Sequence, residues 1–410
     1  MAELLPVAEA RAAVLAEVAA PLPAEPVALE EAYGRVLATD AVSAEEVPGW
    51  DNSAMDGYAV RAADTAGASA EASVTLRIVG ESRAGAPAEG PLGEGGAFGI
   101  STGGVMPDGA DAVVRVEDTE IRGDEVSVRI EVEAGRDIRR AGDDIRSGDL
   151  VLSTGAVLGV AELGVLASIG VAEPQCARRP TVAIVCTGDE LLTSSEPMRA
   201  GGVRNSNAHT LPVLARLAGA DVTGIERCAD DPETTREAVA RATESDVAIF
   251  CGGVSVGEHD HVKEAFAAAG IEERFWGVAL RPGKPTWFGV GRSQGLAFGL
   301  PGNPVSAFVT FILFVRPALR ALQGAPAELD ALDVSLAEDV ARMERRDQAV
   351  RCSLAQTSEG WLATPTGPQG SHILTSMLRA DALTVIESGT EPALAGSTVR
   401  AELLRVPSVT

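Results

Sequence analysis

Between Pro180 and about residue 325 the chain alternates short, uninterrupted apolar runs with longer amphipathic ones, and this alternation restricts the fold more than any other feature. "TVAIVCTG", "DVAIFCGG" and "GLAFGLPG" have the continuous hydrophobicity of strands buried on both faces, and "DVTGIERCA" reads as a further strand. Between them "NAHTLPVLARLAGA", "DPETTREAVARATES" and "EHDHVKEAFAAAG" read as helices, the second with an Asp cap and a Pro in its first turn. "NPVSAFVTFILFVRPALRAL" closes the segment as a long helix. Buried strands separated by helices of about 10 to 15 residues call for right-handed crossovers and a mostly parallel sheet, whose ligands bind beyond the carboxyl ends of the strands.

The flanking segments follow other periods. Residues 1 to about 45 have helical periodicity broken by prolines, including "VALEEAYGRVLATD", while "VTLRIVG" and "ADAVVRVEDTEIRGDEVSVRIEVEAG" alternate as hairpin strands with "RGDE" as a turn. "DLVLSTGAVLGVAELGVLASIGVAEP" pairs a short strand with a helix. The last segment, from about 330, returns to short alternating runs and reads as a small β-barrel or sandwich. A length of 410 residues suits two to four domains, so the expected class is multidomain α+β and α/β.

The net charge of −25 argues against nucleic-acid binding, whose footprint is a basic face, and an anionic substrate must be met by a local basic site. Five widely spaced cysteines, Cys176, Cys186, Cys228, Cys251 and Cys352, form no C-x-x-C pair, which points to a reduced, cytoplasmic protein without disulfides or structural zinc. The N-terminus carries acids and an arginine within its apolar pattern and reads as an amphipathic helix, not a signal peptide. No uninterrupted run of 18 apolar residues occurs, which argues against a membrane span.

Three polar loops follow three of the α/β strands and should line one crevice: "TGDEL" (Thr187 to Leu191), "CGGVSVGEHD" (Cys251 to Asp260) and "LPGNPVSAF" (Leu300 to Phe308). Gly252, Gly253, Ser255 and Gly257 offer free backbone N–H groups before a helix, suited to an oxyanion, or else form only a tight turn. Asp189, Glu190, Asp230, Asp231 and Asp260 place carboxylates near one strand edge, where hard oxygens suit Mg²⁺; Asp231, before Pro232, is most simply a helix cap. His259 and His261 are two apart and make a poor metal pair. Only two lysines occur, and one, Lys284, lies in the turn "RPGKP", where a hairpin should project it and Arg281 over the same crevice. In the N-terminal half, "DNSAMDGYAVR" and "STGGVMPDGADAVV" fit neither helix nor strand periodicity and read as loops, either plain connections or a shaped binding surface.

The ordered set "DNSAMDGYAVR", "TGGVMPDGADAVV", "RRAGDDIRSGD", "CTGDEL", "GGVSVGEHD", "RPGKP", "LPGNPVSAF" and "GPQGSHIL" resembles the molybdopterin molybdenumtransferases of molybdenum cofactor synthesis, the bacterial counterparts of the gephyrin E domain. The resemblance implies four parts: a discontinuous helical and β domain (1–46 and 142–175), an inserted β-rich domain (47–141), a molybdopterin-binding α/β domain (176–326) and a C-terminal β-barrel (327–410). It implies insertion of molybdate into adenylated molybdopterin with Mg²⁺ and release of AMP. It further implies a homodimer with the cleft between subunits, and other molybdenum cofactor synthesis proteins as partners.

Residue by residue, the resemblance assigns Asp56, Asp144, Glu190, Asp230 and Asp260 as acidic site positions, the last three as candidate metal ligands. It assigns Thr102 in the inserted domain, and Arg351 and Ser371 in the C-terminal domain. Arg281, Lys284 and Arg351 would offset substrate charge, while the Gly252, Gly253, Ser255, Gly257 loop and Pro301, Gly302 and Asn303 would bind the pterin substrate. Two positions depart from the family pattern: Gly277 stands where many members have lysine, and Asn205 where aspartate is common. Two other readings share the fold: molybdopterin adenylylation, which a lone α/β domain would perform, and a non-catalytic scaffold, which the acidic loops disfavour.

Overall fold

The computed structural model describes residues 4–254, 261–292, 294–328 and 331–405. The alternating segment forms a six-stranded sheet of β1 (Thr181–Thr187), β2 (Asp221–Cys228), β3 (Val247–Cys251), β4 (Glu272–Trp276), β5 (Trp287–Val290) and β6 (Leu296–Leu300), in the order β2-β1-β3-β6-β5-β4. The first four in that order are parallel; β5 runs antiparallel to β6, and β4 antiparallel to β5. β3 and β6 are buried at every position, as their unbroken apolar sequence requires. Helix α1 (Asn207–Leu217) carries the chain from β1 to β2, and α2 (Pro232–Ala242) carries it back across β1 to β3. Strand order therefore reverses about β1, and a crevice opens between the carboxyl ends of β1 and β3.

Both faces of this sheet are covered. On one, Ile184, Ile249 and Phe298 pack with Leu211 of α1 and with Phe311 and Phe314. On the other, Val185 and Phe250 pack with Val239 of α2, Phe266 of α3 (Val262–Ala268) and Trp287, and Phe266 stacks on Trp287 at 4.5 Å. The expected long helix, α4, runs Pro304–Leu322 with a π-helical segment at Phe311–Val315. By length and hydropathy it could cross a membrane, but 89% of its apolar window is buried inside the protein, so its apolarity belongs to the core.

The first helix, Val7–Ala16, buries Val7, Ala10 and Val14 in the α/β core rather than beside the N-terminal β segments that follow it. Its Arg11 reaches Glu402 of the C-terminal strand at 2.8 Å, and Arg316 of α4 reaches the same carboxylate at 2.6 Å. The helix expected within Val27–Asp40 is reduced to a 3-10 turn at Leu29–Glu31, because Val36 and Leu37 are drawn into bridges with Val157 and Cys176. Ala24–Pro26 and Ala41–Val42 likewise pair with Gln175–Ala177 and Leu150–Leu152.

Residues 57–128 form their own six-stranded sheet. Two stretches expected to be loops contribute to it: Gly57–Val60 pairs antiparallel with Ala112–Arg115. Tyr58, Val60, Ala112 and Val114 alternate onto one buried face, a period-2 pattern too short to stand out within its polar surroundings. In the C-terminal region Asp347–Thr357, Gly360–Pro365, Ala331–Leu336, Thr398–Leu403 and Ala382–Ile386 close into a five-stranded barrel, of the two forms expected the barrel rather than the sandwich.

Candidate active site at the carboxyl edge of the α/β sheet

The strand-order reversal opens a cleft of about 540 Å³, walled by the ends of β1, β3 and β6 and by the loops that leave them. Glu190, Asp230, Gly252, Gly253, Pro301, Gly302 and Asn303 all line it. Segments spread over more than 100 residues of sequence thus converge because each follows a neighbouring parallel strand. Ser255, Gly257 and Asp260 lie outside the described residues.

Local backbone shapes this cleft. Gly188 has φ +145°, and a Cβ there would lie 2.5 Å from Glu190 Oε2, so only glycine leaves the carboxylate in place. Gly252, at φ +99°, comes so close to β1 that a Cβ would meet Thr187 Oγ1 at 2.7 Å. Across the top, the backbone N–H of Asp189 donates to Asp230 Oδ2 (3.4 Å) and that of Asp230 donates to Asp189 Oδ1 (3.3 Å), which ties the two acidic loops together. Asp231 caps α2, accepting from the Glu233 and Thr234 N–H groups; the Thr234 bonds hold its carboxyl below the usual range.

At α4, Asn303 makes no side-chain cap, so N–H groups of the first turn remain available at the cleft wall, where the helix dipole favours an anion. Thr187 and Cys251 begin two of the loops expected to line the crevice, whereas sequence reasoning missed Cys186, Arg204 and Asn207 in its wall. Arg204 donates to the Thr193 and Glu196 carbonyls, bracing the segment between β1 and α1. Asn207 Oδ1 and Thr187 Oγ1 are buried without a partner. The sequence signal for these residues was their position at strand ends, which periodicity does not grade. Asn205, one of the two departures from the family pattern, also lines the cleft and accepts from the Ala208 N–H at the start of α1.

The basic turn lies in the connection between the antiparallel strands β4 and β5. Within it Leu280–Arg281 pairs with Asp347–Gln348 of the C-terminal region, and Arg281 Nη1 lies 3.5 Å from Met343 Sδ. Lys284 is exposed, and its neighbour Pro285 lines the cleft. Gly277 has φ +89°, a conformation that a lysine there would strain.

The remaining candidates are not among the cleft-lining residues. Asp56 accepts from the Thr102 N–H (2.7 Å) and hydroxyl (3.1 Å), which joins two of the N-terminal motifs. Asp144 is exposed, its N–H donating to the Val47 carbonyl. Arg351 is fully buried: its Nε donates to Ser376 Oγ, its Nη2 donates to the Pro368 and Gly370 carbonyls, and its Nη1 has no partner. Burial holds its pKa below the usual arginine value and pushes the adjacent Cys352 thiol up to about 11. Ser371 follows directly in the loop that Arg351 anchors.

Residues 5–170 match the MoeA N-terminal region (domain I and II), residues 183–321 the probable molybdopterin binding domain, and residues 333–404 the MoeA C-terminal region (domain IV). A molybdopterin molybdenumtransferase of Haemophilus influenzae is 34% identical over 409 residues, covering 97% of this chain and 98% of its own. The chain belongs to the molybdopterin molybdenumtransferase family. A Bacillus subtilis member is 35% identical, covering 92% of this chain and 89% of its own. Two crystal structures of molybdopterin biosynthesis MoeA protein from Pyrococcus horikoshii superpose with TM-scores of 0.82 and 0.83 at 31% and 29% identity, each covering 98% of this chain and 100% of the other. The three matched regions together run from residue 5 to residue 404.

Proposed function

We propose that this chain inserts molybdate into adenylated molybdopterin and releases AMP, working in the cleft at the ends of β1, β3 and β6. The observation that carries this reading is the convergence, in a chain of this family, of two carboxylates, a glycine turn and a helix N-terminus on one cleft. The Gly252–Gly253 turn and the first turn of α4 would hold phosphate or molybdate oxygens by N–H donation. Glu190 and Asp230 supply hard oxygen donors of the kind Mg²⁺ accepts, and sequence assigns Asp260 to the same set. When bound, the ion would neutralise charge on the phosphoanhydride and the oxyanion. Lys284, beside Pro285 of the cleft wall, is assigned to offset substrate charge together with Arg281, and Arg351 to position the loop of Ser371.

A homodimer is part of the proposal. Tyr33 and Leu217, 65% and 75% exposed, line a second hollow between the N-terminal and α/β parts, flanked by exposed Val160 and Val213. So many large apolar groups together favour a covering subunit. Asp56, Thr102 and Asp144, absent from the cleft wall, are then candidates to meet it from the partner. All five cysteines are free and buried, which suits a reducing cytoplasm.

The deciding experiment supplies purified protein with adenylated molybdopterin, Mg²⁺ and molybdate. AMP release that requires molybdate is the expected result. No release under any condition would sink the reading, and consumption of ATP with bare molybdopterin would replace it with adenylylation.

A further inference from the structure

Cys186 is the penultimate residue of β1 and Cys251 the last of β3, at the floor of the cleft. They are register partners on adjacent parallel strands, and both side chains pack into the same core on one face of the sheet. They are 1% and 2% exposed, yet both line the cleft. Asn207 Nδ2 donates to Cys251 Sγ at 3.0 Å, while the Asn207 Oδ1 stays buried without a partner. The Cys251 S–H donates to the Pro301 carbonyl at 3.3 Å.

We propose that Cys186 and Cys251 form a two-coordinate site for a soft monovalent metal ion of the copper(I) class. Thiolates select such ions over hard cations. Two metal–sulfur bonds of about 2.3 Å laid end to end match the strand spacing of about 4.8 Å. A disulfide, with its Cβ atoms about 3.8 Å apart, would have to draw the strands together. Among the described residues no three His, Cys, Asp or Glu side chains gather to complete a zinc-type tetrahedron, which leaves an ion content with two ligands. The N–H donor from Asn207 stabilises anionic sulfur at Cys251. On binding, two metal–sulfur bonds form, the two S–H protons leave to solvent and the ion keeps its oxidation state.

The test is an anaerobic titration of the whole protein with copper(I) against bicinchoninate as competitor, with X-ray absorption to count sulfur neighbours. The expected result is one ion per chain on two sulfurs. Cys186→Ser and Cys251→Ser should each weaken binding at least tenfold, the double variant should lose the ion, and Cys228→Ser should retain it. Thermal melts of the near-isosteric serine variants confirm that they fold. Failure of the wild type to compete with bicinchoninate, or equal binding by the wild type and the double variant, overturns the proposal, as does retention of full affinity by either single variant.

Discussion

Arg178 and Asp246 form a two-pronged ion pair, with Nη1–Oδ2 and Nη2–Oδ1 both at 2.9 Å. The same carboxylate accepts from the Thr181 N–H and hydroxyl, each at 2.7 Å, so Asp246 fixes the start of β3 to the start of β1. Burial raises its pKa, but the bonds from Arg178 and Thr181 outweigh burial and leave the carboxyl below its ordinary 3.8. A depressed folded-state pKa gives stabilisation that is complete above the ordinary value and disappears as pH falls through the folded one. Asp246→Asn should therefore cost about 2 kcal/mol at pH 7 and distinctly less at pH 3, read by urea unfolding at both. An equal penalty at the two values would remove the charge from the explanation.

Glu190 and Gly188 should behave as one unit. Glu190→Gln removes a hard donor, and Gly188→Ala drives a methyl against the same carboxylate. Each should lower molybdate-dependent AMP release at least tenfold and raise the Mg²⁺ concentration needed for half-maximal rate. If Gly188→Ala turns over normally, the cradle is not required.

Lys284→Ala should reduce molybdate-dependent turnover at least tenfold, about 1.4 kcal/mol of transition-state stabilisation, with the melting temperature nearly unchanged because the side chain is exposed. Lys284→Arg should restore only part of the loss, since a fork does not replace a compact point charge. Unaltered turnover would return Lys284 to the role of a surface residue.

The parallel sheet was legible in the sequence because strands such as Val247–Cys251 are buried on both faces and leave an unbroken apolar run. The convergence of Glu190, Gly252 and Asn303 followed from that, since parallel strands send their carboxyl ends to one edge. The first helix's docking was not legible: Val7, Ala10 and Val14 mark a buried face but not the surface that buries it. The position of Arg281 was hidden for the same reason, because its pairing with Gln348 joins residues far apart in the chain. Strands Gly57–Val60 and Ala112–Arg115 escaped notice because glycine, polar residues and short length mask a two-residue period.

Glu402 is 4% exposed and accepts from both Arg11 and Arg316. Glu402→Leu removes the carboxylate that Arg11 and Arg316 share, leaving Arg11 the more distant Glu328 at 3.6 Å, and should lower unfolding stability by about 3–5 kcal/mol. Equilibrium denaturation measures this, and a loss below about 1 kcal/mol would mean that the arginines find other acceptors.

That single carboxylate also makes the barrel and the sheet thermodynamically interdependent. Arg11 lies on the first helix, Arg316 on the helix that starts at the cleft, and Glu402 on the last barrel strand. Opening the barrel therefore uncovers charge inside the sheet's own core, so local unfolding at one end raises the free energy of the other. The C-terminal strand thus lends cooperativity to a cleft whose wall it does not enter.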